Sequence, residues 1–239
     1  MDSKRIINFL SNVATHNNRP WFHEHKAEYE ACKDNFEAGV SRLIAAISKF
    51  DPEIGHLTAQ DCCYRFYRDI RFSADKSPYK RHFGAYICAH GRKSLYGGYY
   101  IHMQPGRCLI SCGVYFLPTN ILTSCRNEIM VNIDEWRRAV EDKKFVKLFG
   151  RPDEGQWDEN EDILTKKGFG MQHLKKAPKG FPSDTDCLDY LKMKDYTAWI
   201  CVGDDFFDGD DWIQKSCEVF KTAKPMMDFM NRVVADYID

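Results

Sequence analysis

The sequence predicts an α+β fold: an antiparallel β-meander sheet with helices packed mainly on one face and long helices at both termini. Apolar residues recur at helical spacing through the first 50 residues and again after residue 210. Between residues 62 and 117 the period changes to two, and the connections there are too short for the crossovers that parallel strands require. At 239 residues, of which 44% are hydrophobic, the chain fits a single α+β domain spanning 1–239.

The first 50 residues predict two helices. Ser3 can cap the first helix, and Pro20 suits the first position of the second, because the N–H that proline lacks is not needed there. We expect the second helix to run to about Phe50, before Asp51 and Pro52 end it. The apolar stripe of the first helix comprises Ile6, Phe9, Leu10 and Val13.

Short turns join the four strands that fit the segment with a period of two. Pro105 and Gly106 form a tight-turn signal between the last two of these strands. Such connections favour consecutive antiparallel pairing. The predicted strands are residues 63–72, 83–89, 98–104 and 107–117.

Three helices are predicted in the middle of the chain. The first covers about 119–131, and the second covers about 134–149 with Asp134 as its cap. Ser183 can cap a short third helix over 184–192.

The remaining elements are less regular. Residues 150–162 form an acidic loop, and the strand-like residues 163–169 follow it. A last strand is expected at 196–203. The C-terminal helix, about 210–237, carries Pro225, which should kink or split it.

Charge and cysteine usage argue against several classes of protein. The net charge of −1 gives no global field that would attract nucleic acid or an acidic membrane. The N-terminus lacks the apolar core of a signal peptide, and no window approaches the roughly 20 apolar residues of a membrane helix. We therefore expect a cytoplasmic protein. Its ten cysteines include no CxxC pair, so neither a metal site nor a cofactor is expected.

The basic residues are concentrated in one segment. Residues 61–93 carry eight Lys or Arg against three Asp, whereas residues 204–211 carry five Asp and no base. Six cations surround Asp69 and Asp75, which is more charge than a sheet hairpin needs. The segment therefore indicates either a ligand site or an internal ion-pair network. The six cations are Arg65, Arg68, Arg71, Lys76, Lys80 and Arg81.

Strand alternation predicts a polar sheet face rich in Tyr and Arg. Arginine on such a face can form paired hydrogen bonds with carboxylate or phosphate, although a solvated outer face is the simpler alternative. Arg68 does not fit the pattern: alternation puts it beside Phe66 and Ile70, so it should either pair with an acid or turn outward at a bulge. The predicted polar face comprises Arg65, Tyr67, Asp69, Arg71, Tyr100, His102 and Tyr115.

Two basic turns could present an anion site. The first, residues 73–80, contains Lys76, Tyr79 and Lys80 and is made rigid by Pro78. The second, residues 175–181, includes Lys179 and could close over the first, although Pro-Lys-Gly is also a common exposed turn. No phosphate-binding P-loop motif is present.

With these residues described, the chain resembles the bacterial and fungal family called domain of unknown function 2461. The segment 68–80, RDIRFSADKSPYK, is similar to the family's RDxRFSxDKxPYK signature at every specified position. Residues 18–22, NRPWF, resemble its NRxWF element, and residues 98–102, GYYIH, resemble its GYYxH strand. The resemblance spans nearly the whole chain, supports a single domain and implies no activity. Further family features are resembled by Gly113-Val114-Tyr115, Arg126 and Pro178-Lys179-Gly180-Phe181.

Three functions remain open. The first is an enzyme or ligand-binding domain for a small anion bearing phosphate or carboxylate. The second is a structural or interaction module in which the signature is an internal ion-pair network. The third is nucleic-acid binding, which the net charge disfavours, and no membrane partner is expected. Oligomeric state and substrate are left open.

The first function assigns tentative roles to particular residues. Asp69, Asp75 and His102 are the candidates for acid–base catalysis, since His102 could transfer protons near neutral pH. The anion-binding candidates are Arg65, Arg68, Arg71, Lys76 and Lys80, with Arg126 and Lys179 added from the family-like elements. The pocket-lining candidates are Tyr67, Tyr79, Tyr100 and Tyr115, with Trp21 added from the NRPWF element.

Overall fold

The computed structural model describes residues 1–152, 154–155, 157–158 and 163–238. The chain divides into two units by its internal contacts. Unit 1 comprises Met1–Arg92, Tyr100–Leu109 and Val202–Cys217. Unit 2 comprises Lys93–Tyr99, Ile110–Cys201 and Glu218–Asp239. The expectation of a single domain stays a prediction.

The N-terminal helices begin at side-chain caps. Asp2 caps helix α1 (Ser3–Thr15) by accepting from the N–H of Arg5. Ser3 was the predicted cap but is the first residue of the helix. Its hydroxyl donates a hydrogen bond to Asp208. Asn18 caps α2 (Arg19–Glu24) by accepting from the N–H of Trp21, and Pro20 lies in its first turn. After His25 the chain continues as α3 (Lys26–Ile47), so the single helix predicted to run to about Phe50 is two helices. A 3₁₀ turn (Pro52–Ile54) and the short α4 (Ala59–Cys62) follow.

The five-stranded antiparallel sheet confirms the α+β class. Its strands in chain order are β1 (Phe83–Ile87), β2 (Gly98–Met103), β3 (Leu109–Val114), β6 (Lys167–Phe169) and β7 (Tyr196–Cys201). Their order across the sheet is β1-β2-β3-β7-β6. The short strands β4 (Trp157–Asp158) and β5 (Ile163–Leu164) form a separate pair. Residues 153, 156 and 159–162 of the predicted acidic loop lie outside the described residues.

Helices fill most of the rest of the chain. α5 (Thr119–Val131) has the predicted bounds. The helix predicted over 134–149 is two helices, α6 (Ile133–Val140) and α7 (Lys143–Phe149), and Asp142 caps the second. The short helix predicted over 184–192 is α8 (Leu188–Lys192). The last helix, α9 (Trp212–Ala235), continues through Pro225, so the proline does not split it as predicted.

The strand predicted over 63–72 is wrong. Within the described residues, only two isolated antiparallel bridges involve this segment, Cys63 with Ala85 and Tyr67 with Tyr79. Beyond Arg68 the side chains, rather than a strand ladder, supply most of the hydrogen bonds. The predicted turn at Gly106 is confirmed, with a φ of 71°.

The alternative of a solvated polar sheet face is wrong for the central strands β2 and β3. Every residue of β3 is buried, and so are five of the six residues of β2. His102, which was predicted on the polar face, is 5% exposed, and Ser111 in β3 is 2% exposed. At Gly113, with a φ of 123°, a Cβ atom would collide with the carbonyl oxygen of Tyr196, so β3 and β7 approach too closely for any other residue.

Candidate functional site

The signature segment forms an irregular hairpin in unit 1. The N–H of Arg68 donates to the carbonyl of Pro78 at 2.9 Å, and the N–H of Lys80 donates to the carbonyl of Phe66 at 2.9 Å. Beyond these bonds, residues 69–77 form a loop, here called the signature loop. Its shape therefore depends on side-chain hydrogen bonds.

Arg68 holds the signature loop closed. Its Nη1 donates to Asp75 Oδ2 at 2.5 Å and to the Ser77 carbonyl at 3.1 Å. Its Nη2 donates to Ser73 Oγ at 3.3 Å. The sequence predicted that Arg68 would either pair with an acid or turn outward at a bulge, and the structure shows the pairing with an acid. A planar guanidinium can reach several acceptors at once because its donors have a fixed fork geometry.

Asp75 accepts hydrogen bonds from both Arg68 and Ser77 of the hairpin. It accepts from both the backbone N–H and the hydroxyl of Ser77, and Arg81 Nη2 lies 3.9 Å from its Oδ2. The hydrogen bonds from Ser77, followed by those from Arg68, hold the pKa of the Asp75 carboxyl well below its usual range. Lys76 Nζ donates to the Ile70 carbonyl at 3.0 Å, which adds a further bond within the loop.

A second ion pair lies on the outside of the same loop. Arg71 donates to Asp69 through Nε at 3.0 Å and through Nη2 at 2.7 Å. The Arg71 side chain is 76% exposed, and the neighbouring Phe72 is 97% exposed. The hydrogen bonds from Arg71 lower the pKa of Asp69 to about 2.

A groove of about 690 Å³ separates α2 from the hairpin, and we call it the α2 groove. This volume falls within the range of small-molecule sites. The helical wall comprises Arg19, Pro20, Phe22, His23 and Lys26. The hairpin wall comprises Tyr67, Arg68, Ile70, Pro78 and Tyr79.

Asn17 fixes the separation of the two walls. Its amide Nδ2 donates to the Tyr79 carbonyl at 2.9 Å, and its Oδ1 accepts from the Tyr79 N–H at 3.1 Å. Phe22 from the helix also stacks on Tyr79 from the hairpin, with ring centroids 3.9 Å apart. The groove is therefore held in shape by polar and aromatic contacts that need no ligand.

The α2 groove is basic. Arg19, Lys26 and Arg68 bring three cations to its lining, and none of the described residues that line it is acidic. Arg19 is exposed, and its guanidinium forms no hydrogen bond or ion pair with the described part of the chain. Lys26 Nζ, in contrast, lies 3.6 Å from Glu30 Oε1. Tyr67, 51% exposed, adds an accessible ring to the wall.

His102 lies in a buried cluster and does not line the groove. Its Nδ1 lies 2.8 Å from the Tyr100 hydroxyl and its Nε2 lies 3.2 Å from Gln104 Oε1, while the ring of His82 is 4.3 Å away. Burial lowers the pKa of His102 to about 4 and that of His82 to about 2. Both imidazoles are consequently neutral at pH 7, and a role for His102 in proton transfer stays a prediction.

The structure does not bring the other predicted residues into the groove. Trp21 stacks on His25 at 4.0 Å, Lys80 lies over the Tyr64 ring at 5.1 Å, and Arg65 is exposed. The remaining three belong to unit 2: Tyr115 is half-exposed, Lys179 is exposed and Arg126 is buried. Of the predicted site residues, Arg68, Tyr67 and Tyr79 are the ones that line the groove.

The sequence profile of the conserved hypothetical protein family DUF2461 matches residues 5–229, which include α2, the signature loop and most of both units. The chain belongs to the DUF2461 family. No curated protein and no solved structure matches it.

For this DUF2461 protein, sequence reasoning missed the helical wall of the groove. Arg19, Phe22 and His23 of α2 stand at positions i, i+3 and i+4, the spacing of one helix face, and Lys26 begins α3. That spacing could have identified them, but a mixed basic and aromatic helix face is also typical of ordinary surface. Their position opposite the hairpin is what distinguishes them.

Three further observations concern metal ligands, helix length and cysteines in this DUF2461 chain. Within the described residues no group of three His, Cys, Asp or Glu side chains is placed to hold a metal ion. No helix in the described part of the chain has the length and apolar character needed to cross a membrane. All ten cysteines are free thiols.

Proposed function

We propose that this protein binds a small anionic ligand, bearing phosphate or carboxylate, in the α2 groove. The observation that carries the proposal is the lining: three cations and no acid among the described residues, in a groove of about 690 Å³. Cations in a concave site raise the local concentration of anions. Among the described residues Arg19 has no acidic partner, whereas Lys26 pairs with Glu30 and Arg68 with Asp75. The concave geometry distinguishes this groove from the exposed cations of the signature loop.

Arg19 is the residue best suited to bind the anionic group. Its guanidinium is not used by the described residues, and it begins α2 at one side of the groove. Arg68 on the opposite wall is largely committed to the signature loop. We therefore assign Arg68 mainly to shaping the wall and Arg19 and Lys26 to binding the ligand.

The aromatic part of the lining suggests a ligand with a planar ring. Phe22 and Tyr79 are stacked and buried, and Tyr67 is accessible at 51% exposure. Aromatic side chains favour offset or edge-to-face contact with other rings. An aromatic carboxylate or an aryl or nucleoside phosphate would thus use both the cations and the rings.

Calorimetric titration of the full chain with inorganic phosphate and with phenyl phosphate tests the proposal. We expect phenyl phosphate to bind more tightly, because only it contacts the rings. Arg19→Ala should weaken phenyl phosphate binding by roughly tenfold, the size of one charge-assisted hydrogen bond. Tyr67→Ala should reduce the preference for phenyl phosphate over inorganic phosphate.

Arg65→Ala is the matched control for this titration. It removes the same charge from the same unit, at an exposed residue that does not line the groove. Its affinity should stay within about twofold of the wild type. Equal losses in Arg65→Ala and Arg19→Ala would show that only the general basic charge matters, and no binding of either probe at roughly 10 mM would remove the proposal.

A structural or interaction module is the second candidate. It is favoured by the Arg68 guanidinium, which forms hydrogen bonds with Asp75, Ser77 and Ser73 inside the loop. In that case Arg68→Ala would destabilise the chain and neither anion would bind.

We further propose a cytoplasmic location, which the ten free thiols support because disulfides are rare in reducing compartments.

A further inference from the structure

Helix α5 of unit 2 buries a charged residue in its apolar stripe. Leu122, Cys125 and Ile129 are buried at the spacing expected of a helix that packs on a core. Arg126 lies in the same stripe and is 5% exposed. A hydrophobic residue is the usual occupant of such a position, and arginine is almost never fully buried unless it is paired.

The Arg126 guanidinium has few hydrogen-bond partners. Its Nη2 donates to the Met193 carbonyl at 2.9 Å. Its Nε is buried and has no acceptor among the described residues. Because a guanidinium carries five N–H donors, this single bond leaves most of them without an acceptor in the described part of the chain.

No acid in the described residues forms an ion pair with Arg126. The ionisable groups that act on it electrostatically are Tyr196 and Cys125. The buried carboxylate of Asp195 accepts instead from backbone N–H groups, including that of Met171 at 3.1 Å. The positive charge of Arg126 therefore lacks a counter-charge within the described residues.

A buried cation without an anion is costly, and arginine cannot escape the cost by losing its proton. We propose that Arg126 anchors a second anion site, in unit 2, that takes a small oxyanion such as phosphate or the carboxylate of a small acid. The planar fork of the guanidinium matches two oxygens of such an anion. This site is additional to the α2 groove and does not depend on a ligand bound there.

A thermal unfolding series on the full chain tests the second site. Arg19→Ala serves as the background, so that the groove is already weakened. Sodium phosphate and sodium formate are added separately, with sodium HEPES, a bulky sulfonate, keeping the ionic strength constant. Saturating phosphate should raise the melting temperature by about 5 °C, because a ligand that binds only the folded state stabilises it.

Two substitutions at Arg126 separate binding from structure. Arg126→Met removes the charge and should abolish the shift in melting temperature produced by phosphate. Arg126→Gln keeps a donor for the Met193 carbonyl and should fold, also without the shift. If either variant folds and retains the full shift, the second site is overturned.

Nuclear magnetic resonance of the Nε–H group of Arg126 gives a readout that does not depend on the variants' stability. The resonance is assigned by its loss in Arg126→Lys, which keeps the charge. Phosphate should shift this resonance in the Arg19→Ala chain; an unchanged resonance overturns the second site. If Arg19→Ala removes every effect of anions, the α2 groove is supported and the second site is overturned. If only substitutions at Arg126 remove the effects of anions, the second site is supported and binding in the groove is overturned.

Discussion

The signature loop contains two Arg–Asp pairs with the same chemistry and different surroundings. The Arg68 side chain is 26% exposed and donates to a carboxylate, a carbonyl and a hydroxyl. The Arg71 side chain is 76% exposed and, among the described residues, donates hydrogen bonds only to Asp69, two residues before it. An ion pair stabilises a fold when it joins segments that would otherwise separate, and contributes little when it is local and solvated.

Arg68→Ala should give the largest effect of any substitution in the loop. It removes three hydrogen bonds, leaves Asp75 without its main cation and frees the hairpin wall of the groove. We expect the melting temperature to fall by roughly 5 °C or more. Calorimetry measures the fall, with Arg68→Lys as the control.

The lysine variant keeps the charge but not the fork. A single ammonium cannot reach all three acceptors in the same geometry, so Arg68→Lys should recover only part of the stability. Full recovery would show that charge alone, rather than the pattern of hydrogen bonds, holds the loop. That result would remove the distinction between Arg68 and Arg71.

Acid should abolish the contribution of Asp75. Its folded-state pKa is depressed, so its stabilising effect is complete above the unfolded value near pH 4 and is lost as the pH falls below it. The difference in melting temperature between wild type and Asp75→Asn should therefore be constant from about pH 7 to 5 and shrink below about pH 4.

Asp69 provides the matched comparison in the same pH series. Its pKa is also lowered, to about 2, so the loss should begin in the same pH range. Its amplitude should be smaller because the pair with Arg71 is local and exposed. Equal amplitudes for Asp69→Asn and Asp75→Asn would contradict the contrast between the two pairs.

Arg71→Ala should have the smallest effect. It removes an exposed pair and a contact over the ring of Phe72, which is itself almost fully exposed. We expect the melting temperature to change by less than about 1 °C, and phenyl phosphate affinity to be unchanged. A fall comparable to that of Arg68→Ala would mean that Arg71 has a partner in solution beyond Asp69.

The failed strand over 63–72 shows what local pattern cannot predict. More buried and more exposed side chains do alternate between Phe66 and Ile70. The backbone hydrogen bonds across the hairpin nevertheless end at Arg68. In place of the ladder, the Arg68 side chain donates hydrogen bonds to Asp75, Ser73 and the Ser77 carbonyl. A period of two carries no information about these bonds. The same motif did predict that Arg68 needs an acid, because the cost of an unpaired guanidinium follows from chemistry alone.

By itself, the sequence determined the α+β class, the approximate bounds of α5 and the turn at Gly106, because caps, periodicity and turn residues act over a few positions. Its residue pattern also identified the family. Only the tertiary structure decided that the polar residues of β2 and β3 are buried, that His102 is enclosed and neutral, and that α2 faces the hairpin. The two walls of the groove are bonded through Asn17 and Tyr79, which are 62 positions apart. Contacts at that separation arise from packing the whole chain, so no local pattern encodes them.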